Sequence, residues 1–210
     1  MRLKRELVPG DHLLDLEGIA GSLDLTRVFG ASGPFELEIG SGKGTYLAQE
    51  ARVRPDACFL GVEWMKKYAL YAADRLRRAG LSNTRMIAGD ALEFIREHAP
   101  TASFAAVHIY FPDPWPKARH HKRRSVRSDT LPLFESLLIP DGVLRIVTDH
   151  PEYAEWIEAV LTESSLTPEA YQPTASAREG ELVGTNFERK YKLRDGRPSF
   201  PFQLRKSTES

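Results

Sequence analysis

Apolar residues in this chain fall into short continuous runs, and segments with a helical period separate them. Residues 35–39 read as a strand that ends at Gly40, and 45–52 as a helix. A second strand over 58–62 ends at Glu63. The helix predicted over 66–79 stops at Gly80, a residue that takes up the left-handed backbone of a helix end at no steric cost. Strands over 84–88 and 104–111 follow, with a helix over 91–98 between them. A helix over 128–138, a turn at 140–142, a strand over 143–147 and a helix over 151–161 complete the regular part. Five β-α repeats with continuous apolar strands predict an α/β fold, a mostly parallel sheet with helices on both faces. After residue 162 the pattern weakens, and 171–175 and 186–193 are the candidates for closing strands. Residues 1–30 read as an N-terminal extension, a candidate flexible segment, and 31–210 as one domain.

Each predicted strand ends in an acidic residue or just before one: Glu38, Glu63, Asp90, Asp113 and Asp149. Ligands of open α/β sheets bind beyond the carboxyl ends of the strands. A lone acid there is explained as a helix cap, and Asp90 and Asp149 fit that role. Five acids on one edge also fit a binding rim. The turn Gly40-Ser41-Gly42-Lys43-Gly44-Thr45 lets backbone pass close to a ligand, so Gly40 and Gly42 join the candidates. It is not a dinucleotide fingerprint, because Thr45 stands at the last glycine position. A P-loop with Gly42-Lys43 requires glycine at position 37, where Leu37 stands. The Gly44-Thr45 ending resembles that of some nucleotide kinases, so a P-loop kinase using Lys43, disfavoured by Leu37, is one alternative. Glu63, one β-α unit on, is placed to take the hydroxyls of a ribose.

Composition changes this picture little, but charge distribution changes it a good deal. The chain is 41% hydrophobic and 10% aromatic, as a folded domain is, and Lys+Arg and Asp+Glu both number 29. Yet 117–127 is strongly basic, while Glu152, Glu155 and Glu158 form one acidic helical face. A basic cluster in a neutral chain points to a local polyanion site. It follows directly on Phe111-Pro112-Asp113-Pro114-Trp115-Pro116-Lys117, where the prolines fix Asp113 in a non-helical turn. Trp115 is either core or a wall beside a base. Arg2, Lys4 and Arg5 add a basic arm. A non-catalytic RNA-binding module is the second alternative, one that leaves the acidic rim without a role. Cys58 is the one cysteine, in an apolar run, so a disulfide and a Cys/His metal quartet are both excluded. No signal peptide and no membrane span are expected, and the cytoplasm is the expected compartment.

Residues 111–117 with the trailing Arg119-His120-His121-Lys122-Arg123-Arg124, together with Thr185-Asn186-Phe187-Glu188, closely resemble the bacterial tRNA (guanine-N7-)-methyltransferase family. Its members use S-adenosylmethionine. The resemblance covers about 35–192. It implies a Rossmann-like class I methyltransferase fold with a reversed final strand, acting on N7 of the variable-loop guanine at position 46 of tRNA. It implies that Glu38, Glu63, Asp90 and Asp113 line the S-adenosylmethionine site, and that Asp113 is also the active-site acid. Lys117, Asp149, Thr185, Asn186, Phe187 and Glu188 would hold the tRNA, and Arg119, His120, His121, Lys122, Arg123 and Arg124 would meet RNA. Ala118 replaces a basic residue of many relatives. No metal and no obligatory protein partner are expected.

Overall fold

The computed structural model describes residues 6–208. Arg2, Lys4 and Arg5 lie outside the described residues. Strand β1 is Leu13–Leu14, β2 Phe35–Ile39, β3 Cys58–Glu63, β4 Thr84–Ala88, β5 Phe104–Tyr110 and β6 Leu138–Thr148. With β7 (Thr167–Glu169) and β8 (Phe200–Arg205) they form one sheet of order β1-β4-β3-β2-β5-β6-β8-β7. Strands β1 to β6 pair in parallel, and β8 runs antiparallel to both of its neighbours. The helices are α1 (Leu25–Phe29), α2 (Thr45–Val53), α3 (Lys66–Arg78), α4 (Ala91–Glu97), α5 (Leu131–Leu137), α6 (Pro151–Leu161) and α7 (Asn186–Asp195).

Period-2 alternation in the strands divides the core. Leu37, Ile39, Leu60, Val107, Ile109 and Ile146 face one way and pack with Phe94 of α4, Phe134 of α5 and Ile157 of α6. Phe59, Met86 and Tyr110 face the other way, against Tyr46 and Leu47 of α2 and Leu76 of α3. Leu37 is fully buried between Leu60 and Val107 in register. Burying a leucine contributes about 1.5–3 kcal/mol. Glu36, on the second face, is buried as well. Burial pulls its carboxyl up, but hydrogen bonds and charge from His108 and Arg54 outweigh that and leave it at about 2.

Strand order reverses at β2. The chain builds outward through β3 and β4, then crosses back to lay β5 on the other side of β2. Such a switch point opens a crevice at the carboxyl ends of the two strands.

Helix and strand expectations for 35–161 hold to within a few residues, with local differences. Phe111 leaves β5 because its φ is 50, and α5 starts only at Leu131. Residues 140–142 are a kink inside β6, with Asp141 at φ 68. The two candidate closing strands are corrected. Residues 171–175 form no strand, and 186–193 belongs to helix α7. Thr185 Oγ1 accepts the Glu188 N–H at 3.1 Å, half of a capping box, so Thr185-x-x-Glu188 marks a helix start. The real closing strand β8 contains Pro201, which argues against a strand in sequence. Pro201 is tolerated because β7 pairs only with residues 203–205, so its missing N–H faces no neighbour there. Residues before β2 lie along the sheet: Leu13 and Leu14 pair with Met86 and Ile87, and Leu23 and Leu25 enter the core.

Candidate active site

Parallel register carries the five acids to one edge. Glu38 in β2 stands opposite Gly61 and His108, and Glu63 ends β3 opposite Ala88. Asp90 follows β4, Asp113 follows β5 and Asp149 follows β6. Asp90 caps α4, its Oδ1 accepting the N–H groups of Leu92 (2.7 Å) and Glu93 (3.2 Å). An open cleft of about 420 Å³ between Leu23, Pro34, Phe35, Ser103 and Ile139 lies at the opposite, amino ends of β2 and β5, away from this rim.

Between β2 and α2 the glycine turn is tied to β3 by Glu63. One Glu63 oxygen accepts the Gly42 N–H at 2.8 Å and the other accepts the Met65 N–H at 2.8 Å. Gly40, Gly42 and Gly44 are all left-handed, at φ 77, 53 and 63. They serve different needs. A Cβ on Gly40 or Gly42 would meet no atom within 4 Å, so their backbone faces open space on the rim. A Cβ on Gly44 would lie 3.0 Å from that of Ala72, so Gly44 serves the packing of α2 on α3. Leu37, where a phosphate-binding loop requires glycine, is locked in the sheet.

Glu38 is 5% exposed, and its Oε2 is buried without a hydrogen-bond partner. Burial, opposed by Ser41 and reinforced by the Glu63 carboxylate, pushes its carboxyl up to about 8. A buried carboxyl with an unpartnered oxygen beside an accessible glycine turn fits a ligand that brings positive charge and hydroxyl donors.

Asp113 sits on an unusual turn. Phe111 and Trp115 on either side adopt left-handed φ of 50 and 44. Such backbone costs roughly 1–3 kcal/mol per residue and persists where the surroundings enforce it. Phe111 N–H donates to the Val147 carbonyl at 2.7 Å. Asp113 itself is exposed. Phe111 stacks on Phe187 (centroids 4.8 Å apart), which stacks on Tyr191 (4.5 Å). Trp115 is no core residue: it is half-buried, 5.0 Å beneath the Arg123 guanidinium, with His120 edge-on at 5.8 Å.

The basic run folds as a 3-10 turn, Ala118–Arg123. Lys117, Arg119, Lys122 and Arg123 are exposed, and His120 and His121 are half-buried. Arg124 departs from the expectation of an RNA contact. It is 0% exposed, donates to the Pro114 carbonyl at 2.9 Å and pairs with Glu152 at 2.6 Å. A guanidinium so enclosed cannot reach a phosphate. Asp149 forms an ion pair with Arg197 at 3.1 Å. In the 185–188 group the side chains divide. Glu188 is 2% exposed and accepts the N–H groups of Leu182 (2.7 Å), Val183 (3.0 Å) and Gly184 (2.7 Å). Thr185 is buried, whereas Asn186 and Phe187 are exposed. Glu188 is therefore turned toward its own loop. Sequence reasoning gives neither Glu152 nor Arg197 a place in the site. They lie 28 and 48 residues from their partners, and no local pattern links them. Among the described residues no group of His, Cys, Asp or Glu is arranged to hold a metal ion, and no helix is long and apolar enough to cross a membrane.

A parallel sheet reversed at β2, a glycine turn open to the rim and an antiparallel β8 make the Rossmann-like fold of class I methyltransferases. The Methyltransf_4 family model, described as "Putative methyltransferase", matches residues 32–199. The chain is 38% identical over 175 residues to the tRNA (guanine-N(7)-)-methyltransferase of Halorhodospira halophila, over 81% of this chain and 74% of that protein. It is 46% identical over 153 residues to the protein of that name from Corynebacterium diphtheriae, over 72% of this chain and 58% of that one. Among solved structures, the 30S ribosomal A1408 methyltransferase from an uncultured bacterium superposes with a TM-score of 0.64 at 16% identity, over 88% of this chain and 95% of that one. That likeness is one of fold. The chain belongs to the tRNA (guanine-N7-)-methyltransferase family.

Proposed function

We propose that this chain transfers a methyl group from S-adenosylmethionine to N7 of the variable-loop guanine of tRNA. The observation that carries this reading is the proline-held turn that presents Asp113 at the switch point, between the acids of β2 and β3 and an exposed basic turn. The family match over 32–199 supports a methyltransferase domain over 31–210, to whose sheet and core Leu13, Leu14, Leu23 and Leu25 of the preceding segment add. Its tRNA substrate makes the cytoplasm its place of work.

When bound, the donor supplies an electrophilic methyl on a sulfonium. Glu38, Gly40, Gly42, Glu63 and Asp90 would hold it. Guanine N7 offers a lone pair and carries no proton, so the chain needs no general base, only in-line placement and exclusion of water. The purine gains positive charge as the methyl arrives. The Asp113 carboxylate stabilises that charge, an electrostatic role rather than proton abstraction. Lys117, Arg119, Lys122 and Arg123 meet RNA phosphates, with His120 and His121 beside them. Asn186, Phe187 and Asp149 border the base.

Incubation with labelled S-adenosylmethionine and bulk tRNA tests the proposal. Label on N7 of one variable-loop guanine is the expected result. Label elsewhere, or none while an ATP analogue but not S-adenosylmethionine raises the melting temperature, overturns it.

A further inference from the structure

Arg124 ends the basic run yet is the one member sealed from solvent. Its guanidinium lies 4.8 Å from the Tyr153 ring centroid and 4.7 Å from that of Trp156, and the Trp156 indole N–H is fixed on the Val126 carbonyl at 2.9 Å. In this slot Nε reaches the Pro114 carbonyl and Nη2 reaches Glu152, in the first turn of α6. Pro114 is the residue after Asp113. Pro112, Pro114 and Pro116 have no N–H, so the turn has few donors with which to hold itself. Phe111 fastens its near side to β6, and Arg124 fastens its far side to α6. Glu152 lies three residues after Asp149, so the same guanidinium joins the turn after β5, which holds Asp113, to the helix that follows β6 and Asp149.

We propose that Arg124 is a positioning residue, which sets Asp113 against the substrate by gripping the Pro114 carbonyl and bracing it on Glu152. It touches no RNA. The inference rests on the reading of Asp113 as the group that faces the developing purine charge. Lysine keeps the charge but has no planar fork to bond both partners at once. A misplacement on the order of 1 Å at a reacting centre costs roughly 100-fold in rate.

The test compares Arg124→Lys, Glu152→Ala and Arg123→Gln in the full chain, by single-turnover methylation at saturating tRNA and donor, by tRNA affinity across a salt series and by thermal melts. Glu152 is half-exposed, so water can partly replace its carboxylate beside the guanidinium, and the melts check that the variant stays folded. The expected result is a rate lowered roughly 10- to 100-fold in Arg124→Lys and less in Glu152→Ala. Both should keep the wild-type tRNA affinity and salt slope, and Arg123→Gln alone should lower that slope. A lowered slope in Arg124→Lys makes it a phosphate contact and overturns the inference. Wild-type rates in both grip variants, with only the melt displaced, also overturn it, because the grip is then merely structural. A wild-type protein that methylates no tRNA instead overturns the proposed function, a separate failure.

Discussion

On the proposed donor side of the rim Glu38 and Glu63 are themselves strand residues. Backbone ladders fix where they stand, on both flanks for Glu38 and against β4 for Glu63, and Glu63 in turn holds Gly42. On the proposed acceptor side Asp113 and Asp149 lie beyond the strand ends. Long side chains from elsewhere hold them or their turns: Arg124 at Pro114, braced on Glu152, and Arg197 on Asp149. A ladder shares its load over many hydrogen bonds, whereas a pin concentrates it in two or three. Changes on the donor side should appear in donor affinity, and changes on the acceptor side in rate and RNA binding.

The largest effect should come from Asp113→Asn, which keeps shape and hydrogen bonding but removes charge. Loss of one preorganised electrostatic group costs about 100- to 1,000-fold in rate. Single-turnover methylation should fall by that much, with tRNA affinity nearly unchanged. A wild-type rate at saturating substrates would make Asp113 structural and erase the contrast between the two sides.

Glu63→Ala should do the opposite, weakening donor binding and leaving tRNA affinity intact. Hydrogen bonds to a charged group contribute about 1.5–3 kcal/mol, or roughly 10- to 100-fold in affinity. The Gly42 and Met65 N–H groups also lose their acceptor, so the glycine turn loosens as well. Calorimetry of the folded variant that returns the wild-type donor affinity removes Glu63 from the site.

How much of this is legible in the sequence follows the same division. The β3 and β5 strands can be read almost to the residue, because burial on both faces writes a nearly continuous apolar run, whereas β2 alternates Leu37 and Ile39 with the buried Glu36 and Glu38. The acids at their ends come with them. On the other side the prolines mark the Asp113 turn, but the basic run hides its odd member. Arg123 and Arg124 are identical as letters, and only the pocket between Tyr153 and Trp156 separates them. The family resemblance gives Glu188 to the substrate, whereas three backbone N–H groups of 182–184 claim its carboxylate. The Thr185-x-x-Glu188 capping signature is the local signal that a helix, not a strand, begins there. No comparable signal exists for the Asp149–Arg197 pair, which depends on how the final loop closes.

A smaller effect sharpens the acceptor side. Replacing Lys122 and Arg123 by glutamine should flatten the dependence of log tRNA affinity on log salt, by about 0.7–0.9 for each phosphate no longer neutralised. Donor affinity should not move. A slope equal to that of wild type would mean that these side chains only solvate the surface.

The subtlest expectation concerns Glu38 and asks whether the donor side senses charge as well as shape. Its carboxyl stands at about 8 in the folded protein, against 4.5 for an ordinary glutamate, chiefly because it is buried. The folded, ligand-free protein therefore keeps a proton that the unfolded chain releases between these two values. Stability from this group is fully present below 4.5 and is lost as pH rises through about 8. A cationic donor beside the carboxyl reverses the preference, since positive charge favours the ionised form. Donor binding at pH 7 should thus expel most of a proton. Titration calorimetry in two buffers of different ionisation heat reads that release directly. Glu38→Gln should abolish it, and should flatten the decline of the melting temperature between pH 5 and 8. The donor's own amino group contributes equally to both proteins, so the difference between them isolates Glu38. Equal proton release from wild type and Glu38→Gln would show that the donor's charge is met elsewhere on the rim.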